Sequence, residues 1–324
     1  MKCYSGFTEA YIDLCKLIRD DYEYISSPRG MKIKEKLGVQ FRIKNPRDRL
    51  PFVKARDFSL SYFVAETLWY MSGSNSTEWI SYYAPFWKNI SDDGQTANSA
   101  YGARIFKTHP RIAGGQLNQW EYVKTELKND PDSRRAVIHI RTPDDSAHAV
   151  KDVPCTLALQ FFIRDNKLDL HVNMRSSDII LGLVYDVPAF TTMQEVMANE
   201  LDVELGEYVH TSNSLHCYER DFAMLDEIAN ETSTIGFPMP VYPKEFPIND
   251  LMEVENKVRK MTHDELFAIF LKFNDQSKDR ASSSLVNDWE YVLCSFKARK
   301  FKDQNLSQTY LSSTSYQGYL FFRR

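Results

Sequence analysis

Apolar residues recur along the chain with two periods, which divide it into helices and strands. Helical spacing over residues 7–25 predicts a first helix, with Phe7, Tyr11 and Leu14 on its apolar face. The same spacing predicts further helices over 58–71, 117–127, 191–201, 266–273 and after Ser284. Alternation with a period of two predicts strands over 39–43, 136–140, 157–163, 168–174, 203–210 and 214–218. The dipeptide Asp165-Asn166 predicts a tight hairpin turn.

The order of these elements decides the fold class. Helices and strands are interleaved, which indicates an α/β or α+β protein. Four prolines between residues 238 and 247 interrupt the pattern, so we expect a main domain over 1–237. A helical extension over 238–324 is expected to pack on that same domain. The first of its two predicted helices starts at a capping box formed by Thr262 and Glu265.

Composition narrows the function classes. The chain has 324 residues and a formal net charge of -4, which argues against a broad basic surface for nucleic acid. No apolar run is long enough for a signal peptide or a membrane span, so we expect a soluble cytoplasmic protein without a membrane partner. Five scattered cysteines without a C-x-x-C pair make a disulfide framework or a zinc site improbable, and no metal is expected.

Cys155 is the first candidate for chemistry. It follows Pro154 between a polar loop and an apolar strand. A buried cysteine usually acts as a small hydrophobe, and on spacing alone that interpretation is the better one. However, the predicted hairpin would return Arg175 to the same edge of the sheet. A guanidinium at that position would help to lower the thiol pKa and make Cys155 a nucleophile.

Two further patterns suit a phosphorylated ligand, although each has a plain structural alternative. Arg134 and Arg135 stand together before a strand, where paired guanidinium groups can bind phosphate or form an ordinary charged turn. His216 and Tyr218 alternate on a strand, so both side chains point to one face. There they can bind a sugar hydroxyl, or His216 can be a core histidine.

Taken in order, these fragments resemble the thymidylate synthase family. The strings that carry the resemblance are AETLWYMSG (65–73), AYG (100–102), PDSRR (131–135), PC (154–155), NMRSSDIILGLVYD (173–186) and SLHCY (214–218). They keep the order of the family and nearly its spacing from about Asp57 to Asp221. The resemblance implies a three-layer fold with a large mixed sheet flanked by helices, and sheet packing in a homodimer.

The resemblance also assigns roles to residues. It implies a catalytic thiol at Cys155, with Glu66 organising water and proton transfers and Tyr101 helping to remove the C5 proton. Substrate-binding residues implied for the phosphate are Arg29, Arg175, Ser176, Arg134 and Arg135, the last two coming from the partner subunit. His216 and Tyr218 are implied for the sugar 3′-hydroxyl. Residues implied for the folate are Asp178, Trp87 and Gly182.

Three departures from the synthase pattern resemble the phage-type deoxycytidylate hydroxymethylases. Asp186 stands where synthases have asparagine, and Thr156 stands where they usually have histidine. Met174, in the string NMRS, is the third residue that resembles the hydroxymethylases. An amide complements the N3–H and O4 of uracil, whereas a carboxyl group complements the N3 and N4 of cytosine. A mismatched base would leave buried polar groups unpaired, so Asp186 predicts a cytosine nucleotide.

The implied activity is the 5-hydroxymethylation of a pyrimidine nucleoside monophosphate. Cys155 adds to C6, 5,10-methylenetetrahydrofolate donates the one-carbon unit to C5, and water completes the reaction. We expect dCMP as the substrate, with CMP as a rival because a 2′-hydroxyl needs little room. Ser133 and Ser176 resemble the deoxynucleotide enzymes.

Other interpretations are a thymidylate synthase, a dUMP hydroxymethylase, and a nucleotide-binding protein that has lost catalysis. The last is disfavoured because binding alone does not need the thiol. The terminal sequence YLFFRR (319–324) lacks the small apolar tail of synthases, which fits a site that admits water. Residues 238–324 are expected to extend the dimer surface or to cover the nucleotide.

Overall fold

The computed structural model describes residues 1–110, 115–147, 150–276 and 284–318. The expectation about the terminal YLFFRR concerns residues 319–324, which lie outside the described residues. The chain divides into two compact units. The first unit comprises Met1–Arg56 and Trp69–Pro238, and the second comprises Asp57–Leu68 and Met239–Arg324.

The first unit is built on an eight-stranded mixed sheet. Its strands are β1 (Lys2–Tyr4), β2 (Tyr24–Ser26), β3 (Ile33–Ile43), β6 (Val137–His139), β7 (Thr156–Arg164), β8 (Lys167–Met174), β9 (Ser177–Asp178) and β10 (Glu204–Tyr218). The order across the sheet is β1-β3-β10-β8-β7-β6, with β2 paired to β3 and β9 paired to β10. A separate two-stranded ladder joins β4 (His109–Pro110) and β5 (Gln116–Leu117).

Helices surround this sheet and form the second unit. They are α1 (Phe7–Asp20), α2 (Leu60–Met71), α3 (Thr77–Tyr83), α4 (Trp87–Ile90), α5 (Tyr101–Phe106), α6 (Gln119–Asn129), α7 (Asp144–Ala147), α8 (Leu183–Leu201), α9 (Phe222–Ala229), α10 (Ile248–Lys260), α11 (His263–Gln276), α12 (Leu285–Lys300) and α13 (Gln304–Ser312). Short 3-10 turns occur at Pro28–Gly30 and Glu219–Asp221. This mixed architecture confirms the predicted fold class, a large mixed sheet flanked by helices.

The hairpin between β7 and β8 carries the most specific turn prediction, and it is confirmed. Asp165 and Asn166 both have positive φ, which is the geometry of a two-residue turn that matches strand twist. Pairing starts at Arg164 and Lys167 and runs in register to Ala158 and Asn173. One face of both strands is buried, so the apolar alternation in the sequence fixes which residues face the core.

Strand β10 corrects one prediction. The sequence indicated two short strands over 203–210 and 214–218, but the structure has one strand of 15 residues, Glu204–Tyr218. The polar run Thr211–Ser214 remains extended because its backbone pairs with β3 at Thr211, Ser212 and Ser214, and with β8 as far as Ser212. Backbone pairing on both sides therefore overrides the weak strand preference of serine and asparagine.

Other elements were predicted with shorter or longer bounds. The strand expected over 39–43 extends back to Ile33, and the helix expected over 191–201 begins at Leu183. Helices α9, α10 and α13 and the short helices α3, α4, α5 and α7 had no predicted counterpart. Helices α1, α6 and α8 pack on the sheet and bury its apolar face.

The second unit is organised around α12. This helix begins at the cap Ser284, whose side chain accepts a hydrogen bond from the backbone N–H of Asn287, and it contacts α10, α11 and α13. Trp289 is fully buried and donates its indole N–H to Tyr316 at 3.2 Å. The predicted capping box at the start of α11 is confirmed, with the backbone N–H of Thr262 donating to Glu265 at 2.8 Å. The sequence indicated two helices in this extension, whereas its described residues, 238–276 and 284–318, contain four.

Neither a helix fit to cross a membrane nor a metal-binding cluster occurs in the described part of the chain. None of the helices described there combines the length and the hydropathy needed to cross a membrane. Within the same residues, no group of three or more His, Cys, Asp or Glu side chains is arranged to hold a metal ion.

Candidate active site

A cavity of about 890 Å³ lies in the first unit, where β7 begins and β8 ends. It brings together six residues that the sequence singled out for substrate or catalysis: Arg29, Cys155, Arg175, Ser176, His216 and Tyr218. These residues come from four separate segments of the chain, which only the sheet topology makes neighbours. The cavity is therefore the candidate active site.

Cys155 and Arg175 face each other across the β7–β8 ladder. The Arg175 backbone N–H donates to the Cys155 carbonyl at 2.9 Å, and its Nη2 lies 3.8 Å from the Cys155 Sγ. The same guanidinium donates to the carbonyls of Pro154 at 2.9 Å and Val153 at 3.0 Å. The guanidinium is thus clamped beside the thiol by the backbone of the segment that carries the thiol.

A β-bulge at Leu157 makes this pairing possible. The register shifts between Ala158, which pairs with Asn173, and Thr156, which pairs with Met174. The extra residue, Leu157, instead accepts hydrogen bonds from the backbone of Ile140 at 3.0 Å and Arg141 at 3.3 Å. If Leu157 paired in the regular hairpin register instead of bulging, Cys155 would lie opposite Ser176 rather than Arg175.

Burial and the neighbouring charges shift the pKa of the Cys155 thiol in opposite directions. Burial raises the pKa of Cys155 above its ordinary value, and the charges of Asp186 and Asp152 raise it further. Arg175 and Arg29 act in the opposite direction but do not outweigh the burial. The sequence argument therefore had the sign of the Arg175 effect right, while the net pKa shift is upward.

Positive charge dominates the cavity wall. Its cationic side chains are Arg29, Arg141, Lys151 and Arg175, and its acids are Glu35 and Asp152. Arg29 adopts φ 54°, in the left-handed region that is uncommon for a residue with a side chain, and its side chain is exposed. An excess of cations in a concave site favours an anionic ligand such as a phosphate.

The opposite wall is formed by β3 and β10. Ser214, His216 and Tyr218 alternate on β10 and line the cavity together with Glu35 of β3. Burial lowers the pKa of His216, although the charge of Asp178 opposes this, so we treat its imidazole as neutral at pH 7. Its Nδ1 lies 3.4 Å from the Ser214 carbonyl, which favours the tautomer with the proton on Nδ1.

Asp178, Gly182 and Asp186 form a compact group next to the cavity rather than in its wall. Gly182 donates its N–H to the Asp178 carbonyl at 3.0 Å, and Asp186 donates its own N–H to the Gly182 carbonyl at 3.0 Å. A Cβ on Gly182 would lie 3.3 Å from the Asp178 carbonyl oxygen and 3.5 Å from a carboxyl oxygen of Asp186. The glycine thus leaves space between the two acids.

The two acids of this group are held differently. Asp178 Oδ1 accepts hydrogen bonds from the backbone of Ile180 at 2.9 Å and Leu181 at 3.2 Å. Burial raises the pKa of Asp178, although these hydrogen bonds oppose the increase. Asp186 is buried in the first turn of α8, and its charge raises the pKa of both Cys155 and Tyr208.

Two aromatic residues that the sequence assigned to the site lie in the core of the first unit. Tyr101 stacks near Tyr70 at 4.9 Å and Phe190 at 5.8 Å, and Trp87 packs edge-on against Trp69 at 4.9 Å. Neither side chain lines the cavity, although Ile90 of the Trp87 helix does. A Cβ on Gly102 would lie 2.0 Å from the Tyr70 carbonyl oxygen, so this close approach explains the glycine of the AYG string.

Glu66 lies on α2, in the part of that helix that belongs to the second unit. Its side chain is buried and accepts a hydrogen bond from the Tyr62 hydroxyl one helical turn away. The Glu66 carboxyl is thus shielded from bulk solvent.

Arg134 and Arg135 lie apart from the cavity of their own chain. Both are exposed, and the Arg134 carbonyl accepts from Gln160, which pairs with Val137 in the β6–β7 ladder. Gln160 is five residues along β7 from Cys155, which is about 17 Å at the usual rise of a strand. Nearby Ser133 is buried and donates to Glu126 at 2.6 Å.

A polar network supports the loop that forms the rim of the cavity. Arg104 donates to both carboxyl oxygens of Asp145 at 2.7 Å and to the Ile140 carbonyl at 2.9 Å. Asn98 bridges the Asp145 carboxyl at 3.1 Å and the Asp152 carbonyl at 2.9 Å. These hydrogen bonds fix the two ends of the segment 140–152, which contributes Arg141 and Asp152 to the cavity.

Sequence reasoning missed four charged residues of the cavity: Glu35, Arg141, Lys151 and Asp152. For Glu35 a signal existed, since Ile33, Glu35 and Leu37 alternate with lysines upstream of the predicted strand. For Arg141, Lys151 and Asp152 no comparable signal existed, because they lie outside the predicted helices and strands.

Two comparisons with known proteins agree with this geometry. The family model described as "Thymidylate synthase" matches residues 9–263 of the chain. Among curated proteins, the deoxyuridylate hydroxymethyltransferase of Bacillus phage SP01 is 35% identical over 222 residues. That alignment covers 66% of this chain and 58% of the phage protein, so the chain spans less than two thirds of this relative.

Proposed function

The chain belongs to the thymidylate synthase family, and from this membership we propose that it hydroxymethylates C5 of a pyrimidine nucleoside monophosphate. The observation that carries the proposal is the Cys155 thiol held 3.8 Å from the Arg175 guanidinium in a cavity rich in cations. A thiol beside a positive charge suits covalent catalysis, and the remaining cations suit the 5′-phosphate.

Cys155 acts as the nucleophile. Its thiolate forms a bond to C6 of the pyrimidine, which moves the electrons of the 5,6 double bond to C5 and makes that carbon nucleophilic. Elimination of the same thiolate at the end restores the double bond, so the sulfur is regenerated. The net upward pKa shift of Cys155 means that more thiolate, and faster addition, is expected as the pH rises.

The phosphate is bound by Arg175, Ser176 and Arg29 of one chain. Arg134 and Arg135 lie too far along β7 to reach their own cavity, so we propose that they serve the cavity of a second copy. This requires a homodimer. Their exposed side chains have no carboxylate partner among the residues that the structure describes, which leaves both guanidinium groups available.

Asp186 is the residue that we propose for choosing the base. A carboxyl group can complement the N3 and N4 of cytosine, so dCMP is our first substrate and CMP our second. The phage relative is named for deoxyuridylate instead, which makes a uracil nucleotide the direct alternative. Asp186 is buried close enough to Cys155 for its charge to affect the thiol, as a base-contacting group would be.

Three residues are proposed to hold the folate: Asp178, Trp87 and Gly182. Methylenetetrahydrofolate, when bound, supplies the one-carbon unit. The hydrogen bonding of the Asp178 carboxylate fits this role. Its Oδ1 accepts from two backbone N–H groups, which leaves Oδ2 to accept from N–H donors of a pterin. Trp87 is packed in the core against Trp69, so its part in the folate site is the weaker assignment.

Proton transfers complete the cycle. We propose that Glu66 orders water near the base and that Tyr101 helps to remove the proton from C5. Loss of the C5 proton and departure of tetrahydrofolate leave an exocyclic methylene on C5. Water adds to this carbon in a hydroxymethylase, whereas hydride reduces it in a synthase. We further propose residues 1–237 as the catalytic domain, with 238–324 as its helical extension, acting in the cytoplasm.

The test is direct. The protein is incubated with methylenetetrahydrofolate and dCMP, CMP or dUMP in turn, and the nucleotide product is identified by mass. A hydroxymethyl product with a cytosine nucleotide supports the whole proposal. A hydroxymethyl product with dUMP alone would retain the reaction and overturn the base assignment. A methylated uracil with a rise in dihydrofolate absorbance would identify a synthase instead.

Two variants separate chemistry from binding. Cys155→Ser should abolish turnover while nucleotide binding persists, and persistent turnover would contradict the nucleophile assignment. Asp186→Asn should shift preference toward dUMP because an amide matches uracil. Unchanged selectivity would refute the role of Asp186. If the wild-type protein binds nucleotide but turns over none of the three, the non-catalytic alternative holds.

A further inference from the structure

Glu35 is an acid inside a cavity that otherwise favours anions. It lies on β3 directly opposite His216 of β10, and both side chains line the cavity. Its carboxylate accepts hydrogen bonds from the Ser214 hydroxyl and, at 3.3 Å, from the Ser26 hydroxyl. Two neighbouring strands therefore hold this carboxylate at a fixed place in the wall.

The wall around Glu35 offers acceptors rather than cations. A carboxylate has only acceptor positions, and two donors from the protein leave some of its lone pairs free. Because the neutral His216 carries its proton on Nδ1, its Nε2 is a further hydrogen-bond acceptor beside the Glu35 carboxylate. The ring of Tyr218 stands edge-on to this imidazole, with 5.2 Å between the ring centroids. Such a surface suits a neutral hydroxyl donor and repels a phosphate.

We propose that Glu35 is a specificity-determining residue that accepts a hydrogen bond from the sugar 3′-hydroxyl of the nucleotide. The inference rests on the proposed function and on the family resemblance, which implies that His216 and Tyr218 meet the sugar 3′-hydroxyl. Glu35 has a second consequence, because a 3′-phosphate would meet its negative charge at close range. The site therefore selects free mononucleotides and excludes 3′-phosphorylated nucleotides, including residues within a nucleic-acid strand.

The experiment removes the hydroxyl from the ligand and the carboxylate from the protein in turn. Dissociation constants are measured for dCMP, 2′,3′-dideoxycytidine 5′-monophosphate and 2′-deoxycytidine 3′,5′-bisphosphate. The uracil counterparts are measured in parallel, so the outcome does not depend on which base is preferred. The proteins are the wild type, Glu35→Ala, the isosteric Glu35→Gln, and Glu204→Gln as an exposed control on β10.

In the wild type, loss of the 3′-hydroxyl should weaken binding by about 10- to 100-fold, the usual effect of one hydrogen bond to a charged group. Glu35→Ala should bind the deoxynucleotide more weakly than the wild type does, by a similar factor. Removing the 3′-hydroxyl from the ligand should then weaken binding to this variant only slightly further. It should also bind the 3′,5′-bisphosphate more tightly than the wild type does. Glu35→Gln should retain part of the discrimination, and Glu204→Gln should retain all of it.

Two results would overturn the inference in distinguishable ways. If Glu35→Ala and Glu35→Gln still discriminate between deoxy- and dideoxynucleotide by the wild-type factor, Glu35 does not contact the 3′-hydroxyl and the proposed function stands. If no pyrimidine nucleotide binds to the wild type, the proposed function fails and takes this inference with it. Thermal unfolding of each variant confirms that the folded protein is being compared.

Discussion

Arg49 and Arg175 carry the same guanidinium group, but the chain surrounds the two groups with different partners. Arg49 is fully buried and its Nη2 lies 2.5 Å from a Glu195 carboxyl oxygen, with further bonds to Thr192 and the Pro46 carbonyl. Arg175 is half-buried and donates to two carbonyl oxygens beside the Cys155 thiol. Among the residues that the structure describes, it has no carboxylate partner.

The difference teaches how to recognise an arginine that is kept for a ligand. A carboxylate neutralises the charge of Arg49, so this group serves the fold. Carbonyl oxygens orient Arg175 but leave its net charge in place, so this group can still attract an anion into the cavity. Neutralisation, more than exposure, distinguishes the structural arginine from the functional one.

The largest expected effect comes from breaking the buried pair. Arg49→Met leaves Glu195 buried without its cation, which should lower the free energy of unfolding by about 3–5 kcal/mol. Arg42→Met is the matched control, because the Arg42–Glu207 pair is about one third exposed and should be worth at most about 1 kcal/mol. Urea denaturation of both variants makes the measurement, and equal losses would refute the contrast.

Arg175→Gln should leave the fold nearly intact and weaken the site. Nucleotide affinity should fall by about 10- to 100-fold, while affinity for the corresponding nucleoside changes little. The pKa of Cys155 should rise further, because Arg175 is the first group that opposes the effect of burial. Binding titrations and the pH dependence of thiol alkylation test both points, with exposed Arg164→Gln as the control. Equal weakening for nucleoside and nucleotide would contradict the assignment to phosphate.

Arg104 is the intermediate case, since it is neutralised by Asp145 but supports the rim of the cavity. Burial favours the protonated acid, yet the hydrogen bonds from Arg104, Thr142 and Asn98 lower the pKa of Asp145 to about 2. This stabilisation is complete above the ordinary pKa of 3.8 and is lost as the pH falls toward 2.

Asp145→Asn should therefore cost about 1–2 kcal/mol at neutral pH and flatten the loss of stability below pH 4. Nucleotide affinity should also fall, because the segment 140–152 loses its anchor. Unfolding measured across pH, with exposed Asp132→Asn as the control, makes the comparison. If Asp145→Asn loses stability below pH 4 as steeply as the wild type does, the Arg104–Asp145 pair does not stabilise the folded chain.

The smallest effect concerns Asp48, a carboxylate without a cation. One of its oxygens has no hydrogen-bond partner within the described residues, and burial raises its pKa to about 6. The folded protein then binds a proton that the unfolded chain has released, so stability falls as the pH rises from 3.8 to about 6. Asp48→Asn should gain about 1 kcal/mol at pH 7, after allowance for partial exposure, and nothing below pH 4. A pH-independent change would contradict this account.

Elements with a strong local pattern could be predicted from the sequence. The β7–β8 hairpin follows from alternation and from Asp165-Asn166, and the Thr262 cap follows from its capping box. Strand β10 was divided in two because Thr211–Ser214 has no apolar alternation, and only pairing with its neighbours keeps it extended. Helix α13 depends on packing against α12 and gave no comparable signal.

The site was predictable where the family motifs are, and not elsewhere. Six residues chosen from the sequence line one cavity, and the wider expectation that Arg175 approaches Cys155 agrees with the geometry. The net pKa of the thiol was not predictable, because burial is a property of the folded chain. The cavity wall that contains Glu35 was not predictable from the sequence either. Its partner His216 is 181 positions away along the chain and becomes a neighbour only through the β3–β10 ladder.

The bulge at Leu157 has a consequence for how this chain can change by insertion and deletion. Because side chains alternate along a strand, removing one residue between Ala158 and the Asp165-Asn166 turn, with the bulge kept, would exchange the two faces of the segment that leads to Cys155. Arg175 would then lose its place opposite the thiol even though every residue of the site remained present. Exposed loops can vary in length among descendants of this sequence, whereas the twenty-one positions from Cys155 to Arg175 are expected to keep their number.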